Sequence, residues 1–97
     1  MNTAEQMVEK DRRRAILIVL VMAPAYMMPA RGLREQIGLA GYVVSLDRVA
    51  TDCAWLAEQG LVEWKNDVAT LSDRGADVAL GRAQVPGVKR PEPGQLQ

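Results

Sequence analysis

The chain has 97 residues, the size of one domain, and its 48% hydrophobic and 25% charged residues are typical of a globular protein. Twelve Lys and Arg are balanced by twelve Asp and Glu, so the chain is not a strongly basic binder of any polyanion. With no His and one Cys, the sequence predicts no His-based catalysis, no common metal cluster and no intramolecular disulfide. A Gly-rich phosphate loop is absent too, so we expect no enzyme and no cofactor.

No segment of the sequence predicts a membrane span or a signal peptide. The longest uncharged stretch, residues 15–30, has sixteen residues and two prolines, whereas a spanning helix needs about 20 apolar residues. Its apolar part also follows a mixed-charge segment instead of a basic one. We therefore expect a cytoplasmic protein.

Three helices are predicted before residue 60. The first covers residues 4–22 and ends at Ala23-Pro24, and its apolar second half indicates burial on several faces. After a short extended connection over residues 26–29, the second helix covers residues 31–39 and ends near Gly38 and Gly41. The third covers residues 45–59, with Ser45 as its N-cap and Gly60 as its stop. Its apolar stripe consists of Leu46, Val49, Ala50, Cys53, Leu56 and Ala57.

A β-hairpin is predicted next. Residues 61–65 and 68–72 flank Asn66-Asp67, a pair that tolerates the left-handed backbone of a two-residue turn. Pairing across this turn places Trp64 opposite Ala69 and Val62 opposite Leu71 on one face. The other face pairs Glu63 with Thr70 and Lys65 with Val68, so the register leaves one core face, which includes Trp64.

A fourth helix over residues 73–83 is predicted to begin at the N-cap Ser72, and a Pro-rich tail follows. Residues 84–97 contain three Pro and two Gly with almost no periodicity, so we expect an extended or disordered basic tail. The sequence thus divides into one domain over residues 1–83 and a tail over residues 84–97.

The order of helix, helix, helix, two-stranded hairpin and helix is that of a winged helix-turn-helix domain, a mainly α fold in which the hairpin is the wing. The strings Trp-Leu-Ala-Glu-Gln-Gly-Leu-Val at 55–62 and Thr-Leu-Ser-Asp-Arg-Gly at 70–75 resemble the two wing junctions of bacterial winged-helix regulators. The outline also resembles the ArsR/MarR type. The paired thiols and His of the metal sensors among them are absent, so metal sensing is not implied.

A narrower resemblance covers nearly the whole chain. It rests on Asp-Arg-Arg at 11–13, Val-Ser-Leu-Asp-Arg-Val at 44–49, Thr-Asp at 51–52, residues 54–62, and residues 82–91 with their Val-Pro-Gly-Val-Lys-Arg-Pro string. These segments resemble small winged-helix proteins encoded in Mu-like prophages. The resemblance implies a phage origin, a bacterial host cytoplasm and the winged-helix fold.

In this fold the third helix is the one that enters the major groove of double-stranded DNA. With the apolar stripe in the core, the side chains expected to project outward are Asp47, Arg48, Thr51, Asp52 and Trp55. Arg48 is the candidate for a bidentate contact with guanine, with Ser45 and Thr51 beside it. Arg31, Arg34, Lys89 and Arg90 are the candidate phosphate contacts. The charge of the segment 45–77 argues against DNA binding, because seven acids and three bases give it a net charge of minus four.

Several side chains have two interpretations. The basic residues Arg12, Arg13 and Arg14 either anchor phosphates or pair with Glu5, Glu9 and Asp11 along the first helix. Trp55, opposite the apolar stripe, packs against the first helix, contacts a partner, or stays exposed, and we favour the partner contact. Cys53 lies on the apolar stripe and is expected to be a core residue.

The sequence therefore predicts a homodimeric DNA-binding protein that regulates phage transcription. A dimer is expected because winged-helix regulators of this size usually bind two half-sites, and because the apolar first helix offers more surface than the core needs. The alternative function is a protein–protein adaptor that kept the fold without DNA binding, which the acidic third helix favours. Its partner would be a phage or host protein.

Overall fold

A computed structural model describes residues 3–91 and contains four α-helices and a three-stranded antiparallel sheet. The helices are α1 (Thr3–Met22), α2 (Ala30–Leu39), α3 (Leu46–Glu58) and α4 (Asp73–Ala79). The strands are β1 (Met27–Pro29), β2 (Val62–Lys65) and β3 (Val68–Leu71), with one turn of 3-10 helix over Pro24–Tyr26. This arrangement is compatible with the predicted winged helix, although the sheet has one strand more than the hairpin alone.

The hairpin has the predicted register. Trp64 lies opposite Ala69 and Val62 opposite Leu71, with Glu63 opposite Thr70 on the other face. The turn residues Asn66 and Asp67 have φ angles of 52° and 59°, the left-handed region in which this two-residue turn closes. Val62 and Ala69 are buried, and Trp64 packs against the core, so the hairpin has the single core face that its alternation predicts.

The third strand, β1, is a feature that the sequence analysis described only as an extended connection. It pairs antiparallel with β3, Met28 lying opposite Ala69, and gives the strand order β1-β3-β2. A strand of three residues is too short to show the alternation of polar and apolar side chains that predicts a strand. Its Pro suits an edge strand, because Pro has no N–H that needs a hydrogen-bond partner. The backbone N–H of Ala30 then donates to the Asp67 carbonyl at 2.8 Å, which ties the hairpin turn to the start of α2.

The caps confirm the predicted starts of two helices, but α4 is shorter than predicted. Ser45 Oγ accepts from the Arg48 N–H, and Ser72 Oγ accepts from the Gly75 N–H. Helix α4 ends at Ala79 and not at residue 83, because Gly81 has a φ of 81° and the Arg82 N–H turns back to the Asp77 carbonyl.

The core lies between the helices and one face of the sheet, and is built almost entirely from aliphatic side chains. The larger aliphatic side chains with no exposed surface are Ile16, Leu17, Leu20, Leu33, Ile37, Val49, Leu56 and Leu61, and Cys53, Ala69 and Ala79 are equally buried. Cys53 is thus a core residue, as predicted, and burial, with help from the nearby Asp52 charge, raises the pKa of its thiol to about 12. Over residues 3–91, no helix is long and apolar enough to cross a membrane.

Residues 84–91 have no regular secondary structure, but they are packed against the domain. Val85 and Val88 are buried and belong to the core. The Lys89 N–H donates to the Lys10 carbonyl, which fixes the segment along α1. The sequence analysis expected an extended or disordered tail here, whereas residues 84–91 are irregular but packed, because two valines among the prolines bury apolar surface. Residues 92–97 lie outside the described part of the chain.

Candidate nucleic-acid interface

Three elements meet around a cleft of about 400 Å³. Its lining comes from the start of α2, the first turns of α3 and the hairpin turn, namely Pro29, Ala30, Arg31, Leu46, Asp47, Ala50, Asn66 and Asp67. The hydrogen bond from Ala30 to Asp67 and the strand pair β1–β3 join the start of α2 to the hairpin. The start of the second helix and the third helix, to which the sequence analysis assigned DNA contacts, are thus neighbours of each other and of the hairpin turn.

The two hydroxyl candidates lie on the exposed side of α3. Ser45 Oγ accepts from the Arg48 N–H at 3.1 Å, and Thr51 Oγ1 donates to the Asp47 carbonyl at 3.0 Å. Both side chains are exposed and already make local hydrogen bonds. They therefore stabilise the first turns of the helix in the free protein and remain within reach of a bound molecule.

Arg48 is exposed, as predicted, but it faces α1. It lines a second cleft, of about 460 Å³, together with Ala4, Glu5, Val8, Glu9 and Arg12. Glu5 and Glu9 put two carboxylates into the surroundings of this guanidinium. The phosphates of a nucleic acid that approaches Arg48 are therefore repelled by these two carboxylates of α1.

One exposed stripe of α3 runs along Asp47, Thr51, Ala54 and Glu58. Their spacing of four, three and four places them on one face of the helix. Two of the four are acids and none is a base, so apart from Arg48 the cations for any contact with phosphate must come from neighbouring elements.

Asp52 does not project outward, contrary to the prediction. Its carboxylate accepts from Arg12 Nε at 2.5 Å and from Arg12 Nη2 at 3.0 Å, and both side chains are buried. The hydrogen bonds and charge of Asp52 raise the pKa of Arg12, although burial by itself lowers it. A signal for this was present, because Asp52 follows Val49 by three residues and precedes Leu56 by four, which are spacings of the buried stripe.

Trp55 packs within its own chain. The Arg13 guanidinium lies 4.0 Å from the centre of its ring, and Gly87 borders the ring so closely that an added Cβ would lie 2.6 Å from it. Arg13 also donates to the Gly87 carbonyl and pairs with Glu9. Of the three interpretations of Trp55, packing against α1 is what the structure shows, so its burial needs no partner. Arg12 and Arg13 are engaged inside the molecule and are not phosphate anchors in this state.

The remaining cationic candidates fall into two groups. Arg31 and Arg34 are exposed on α2, and Arg31 lines the cleft with Asp47. Lys89 and Arg90 line a different cleft of about 440 Å³ with Lys10, and Lys89 lies 3.5 Å from the Asp11 carboxylate. The two clefts share no residue, so the structure does not gather all predicted phosphate contacts at one site.

Comparison with known proteins gives one informative match. No family model matches the chain, and no solved structure matches it. A protein of Escherichia phage Mu, "Uncharacterized protein gp26", is 49% identical over 65 residues, which cover 63% of this chain and 68% of that protein. The match agrees with the Mu-like phage origin that the sequence motifs indicated. At this identity and coverage, the chain belongs to the family of the phage Mu protein gp26.

Proposed function

We propose that this protein is a winged-helix transcriptional regulator of a Mu-like phage that binds double-stranded DNA. The observation that carries the proposal is the convergence of the start of α2, the first turns of α3 and the hairpin turn on one cleft. In a winged-helix complex, these are the elements that meet the backbone, the major groove and the neighbouring groove.

The buried pair also weakens the electrostatic objection to DNA binding. Of the seven acids in residues 45–77, Asp52 pairs with Arg12 and Asp77 pairs with Arg82, and both arginines lie outside that segment. These two cations reduce the local excess from minus four to minus two. The surface that faces a phosphate backbone is therefore less acidic than the sequence suggests.

In this proposal, the position of each residue decides whether it contacts bases or phosphates. Arg48, in the first turn of α3, contacts guanine, and Ser45 and Thr51 contact the neighbouring bases or phosphates. Arg31 and Arg34 bind the phosphate backbone from α2. Lys89 and Arg90 reach phosphates farther along the duplex from their own cleft. Two copies bound to two half-sites complete the proposal.

Fluorescence anisotropy with labelled duplexes tests DNA binding. One duplex carries phage operon sequence and the other has random sequence of the same length, and both are titrated at two salt concentrations. We expect preference for the operon duplex and an affinity that falls steeply with salt. Arg48→Ala should cost about 1 to 3 kcal/mol of binding free energy and reduce the preference.

Arg31→Ala should weaken binding to both duplexes alike and flatten the salt slope by roughly one unit. Arg74→Ala is the matched control, because Arg74 is an exposed arginine on α4 that does not line the cleft. Equal and salt-insensitive binding of both duplexes, or no binding at all, would contradict the proposal. So would an Arg48→Ala variant that folds and keeps both affinity and preference.

A second function, that of a protein–protein adaptor, has an observation of its own. The exposed stripe of α3 over Asp47, Thr51, Ala54 and Glu58 lacks a base. Leu39 at the end of α2 and Val43 in the connection to α3 are 80% and 86% exposed. Such side chains favour a protein surface over a phosphate backbone. Absence of DNA binding at both salt concentrations would make this the leading function.

A further inference from the structure

Three cationic residues from distant parts of the chain line one cleft. Lys10 belongs to the first half of α1, whereas Lys89 and Arg90 belong to the segment 84–91. The cleft has a volume of about 440 Å³ and shares no residue with the cleft between α2, α3 and the hairpin turn. Every other described residue of its lining is uncharged. The charged part of this lining is therefore entirely basic.

The packing of the segment 84–91 holds these cations together. The Lys89 N–H donates to the Lys10 carbonyl at 3.2 Å, which brings two residues that are far apart in the sequence to the same point along α1. Val85 and Val88 are buried in the core just before Lys89. The segment cannot leave α1 without exposing this apolar surface to water. The basic cleft is therefore already formed in the free protein.

The positive charge of the cleft is only partly offset. The Asp11 carboxylate lies 3.5 Å from Lys89 Nζ and balances one of the three charges. Over residues 3–91, neither Lys10 nor Arg90 forms an ion pair. Like charges that the fold gathers in one place repel one another, and a bound anion removes that cost. The charges thus favour an anion as the occupant.

A fourth cation lies beside the cleft. Arg14 follows Lys10 by four residues, so the two side chains are neighbours one turn apart on α1. The Arg14 Nε is buried and, within the part of the chain that the structure describes, has no hydrogen-bond partner. A buried donor without an acceptor is unfavourable. An anion bound beside Lys10 is attracted by this guanidinium as well.

We propose that this cleft binds a phosphate group. Lys10 and Lys89 supply point charges with rotatable donors, and the planar guanidinium of Arg90 can donate two parallel hydrogen bonds to two phosphate oxygens. With Asp11 counted, the lining has a net charge of plus two, which a phosphate dianion neutralises and a single carboxylate does not. The volume also leaves room for the group that carries the phosphate. The site goes beyond the proposed function, because it needs neither α3 nor a duplex.

Nuclear magnetic resonance of the full chain, labelled with nitrogen-15 and titrated with inorganic phosphate at constant ionic strength, tests the site. We expect saturable shifts of the amide signals of residues 84–91 and of Lys10, without a shift of Ala30 in the other cleft. Lys10→Gln and Arg90→Gln should each weaken binding about tenfold, the loss of one hydrogen bond between charged groups. Lys65→Gln is the matched control and should change nothing, because Lys65 is an exposed lysine on β2 that does not line the cleft.

Asp11→Asn separates the effect of charge from a loss of the fold. It removes the acid that balances Lys89, so inorganic phosphate should bind about threefold more tightly, the effect of one unit charge on another about 6 Å away in water. A misfolded variant cannot imitate this gain. Lys10→Gln keeps the backbone carbonyl that accepts from Lys89, so it should also keep the packing of the segment 84–91.

A second titration distinguishes the two sources of a phosphate group. A duplex of random sequence is added to the native chain and to Lys10→Gln, each with and without inorganic phosphate. If Lys10→Gln weakens duplex binding and inorganic phosphate competes with the duplex, the occupant is the backbone of a nucleic acid. If only the binding of inorganic phosphate depends on Lys10, the occupant is a free phosphate or a small phosphate ester.

Three results would overturn the proposal. One is the absence of saturable shifts, or shifts spread over all exposed cations. Another is equal phosphate binding by Lys10→Gln, Arg90→Gln and Lys65→Gln, and the third is an Asp11→Asn variant that binds no more tightly than the native chain. Failure of this site leaves the proposed DNA contacts of α2 and α3 standing, and failure of those contacts leaves the titration with inorganic phosphate unaffected.

Discussion

Replacing Asp52 by Ala should destabilise the protein strongly, because it leaves a buried guanidinium without its counter-charge. The side chains of Arg12 and Asp52 are 6% and 2% exposed, and two hydrogen bonds join them. Removal of one partner from a buried ion pair costs about 3 to 5 kcal/mol. A small domain is stable by only about 5 to 15 kcal/mol, so this loss would take a large part of the free energy of unfolding.

Urea unfolding followed by circular dichroism measures the loss, since a helix signal does not depend on the tryptophan one turn from Asp52. Asp77→Ala is the matched control. It breaks the Arg82–Asp77 pair, whose side chains are 61% and 48% exposed, and should cost less than about 1 kcal/mol.

The double variant Arg12→Met, Asp52→Leu separates the charge from the packing. It removes both buried charges together, so it should be more stable than Asp52→Ala. Two results would refute the reasoning. One is an Asp52→Ala variant that loses no more than Asp77→Ala. The other is a double variant whose loss of unfolding free energy equals the sum of the losses of Arg12→Met and Asp52→Leu measured separately. Such additivity would mean that the two side chains are not coupled.

Other predictions concern glycines and the thiol. Gly75→Ala should cost several kcal/mol, because the new Cβ would lie 2.0 Å from a backbone carbonyl oxygen. Gly38→Ala, with open space around it in a helix, should instead gain about 0.5 to 1 kcal/mol in the same urea titration. Gly87→Ala should both destabilise and shift the fluorescence of Trp55, because the position has a φ of 99° and no room for a Cβ. For Cys53, the folded pKa near 12 exceeds the ordinary 9.0, so the stability that it contributes is complete below pH 9. That contribution should fall by about 1.4 kcal/mol per pH unit between pH 9 and 12, a slope that Cys53→Ala lacks.

The elements that the sequence predicted well are those fixed by neighbouring residues. The hairpin register follows from a two-residue turn and from alternation on both sides, and the two constraints agree only in one register. The start of α3 follows from the hydroxyl of Ser45, which needs only the Arg48 N–H three residues later.

The features that the sequence missed depend on residues far apart in the chain. Arg12 and Asp52 are separated by 40 residues, and Arg13 and Gly87 by 74. A pattern in neighbouring residues therefore cannot predict either contact. Asp52 was assigned to the surface because it is not one of the apolar residues that set the core face of the third helix, and its buried partner was not visible in the sequence. The segment 84–91 was assigned to a tail because its prolines outweigh its two buried valines in any local window.

Helix α1 shows why an apolar run is ambiguous in a sequence. Residues 15–22 are apolar on all sides, which by itself predicts burial all round, yet Met22 is 80% exposed. The rest of the run follows the prediction, because Ile16, Leu17 and Leu20 are fully buried and Ala15, Ile18, Val19 and Val21 pack against the core. The exposed Met22 is the last residue of the helix, where the chain turns at Pro24 into the 3-10 turn. An apolar run therefore predicts which side chains can be buried, and the packing of elements that are distant in the chain decides which of them are.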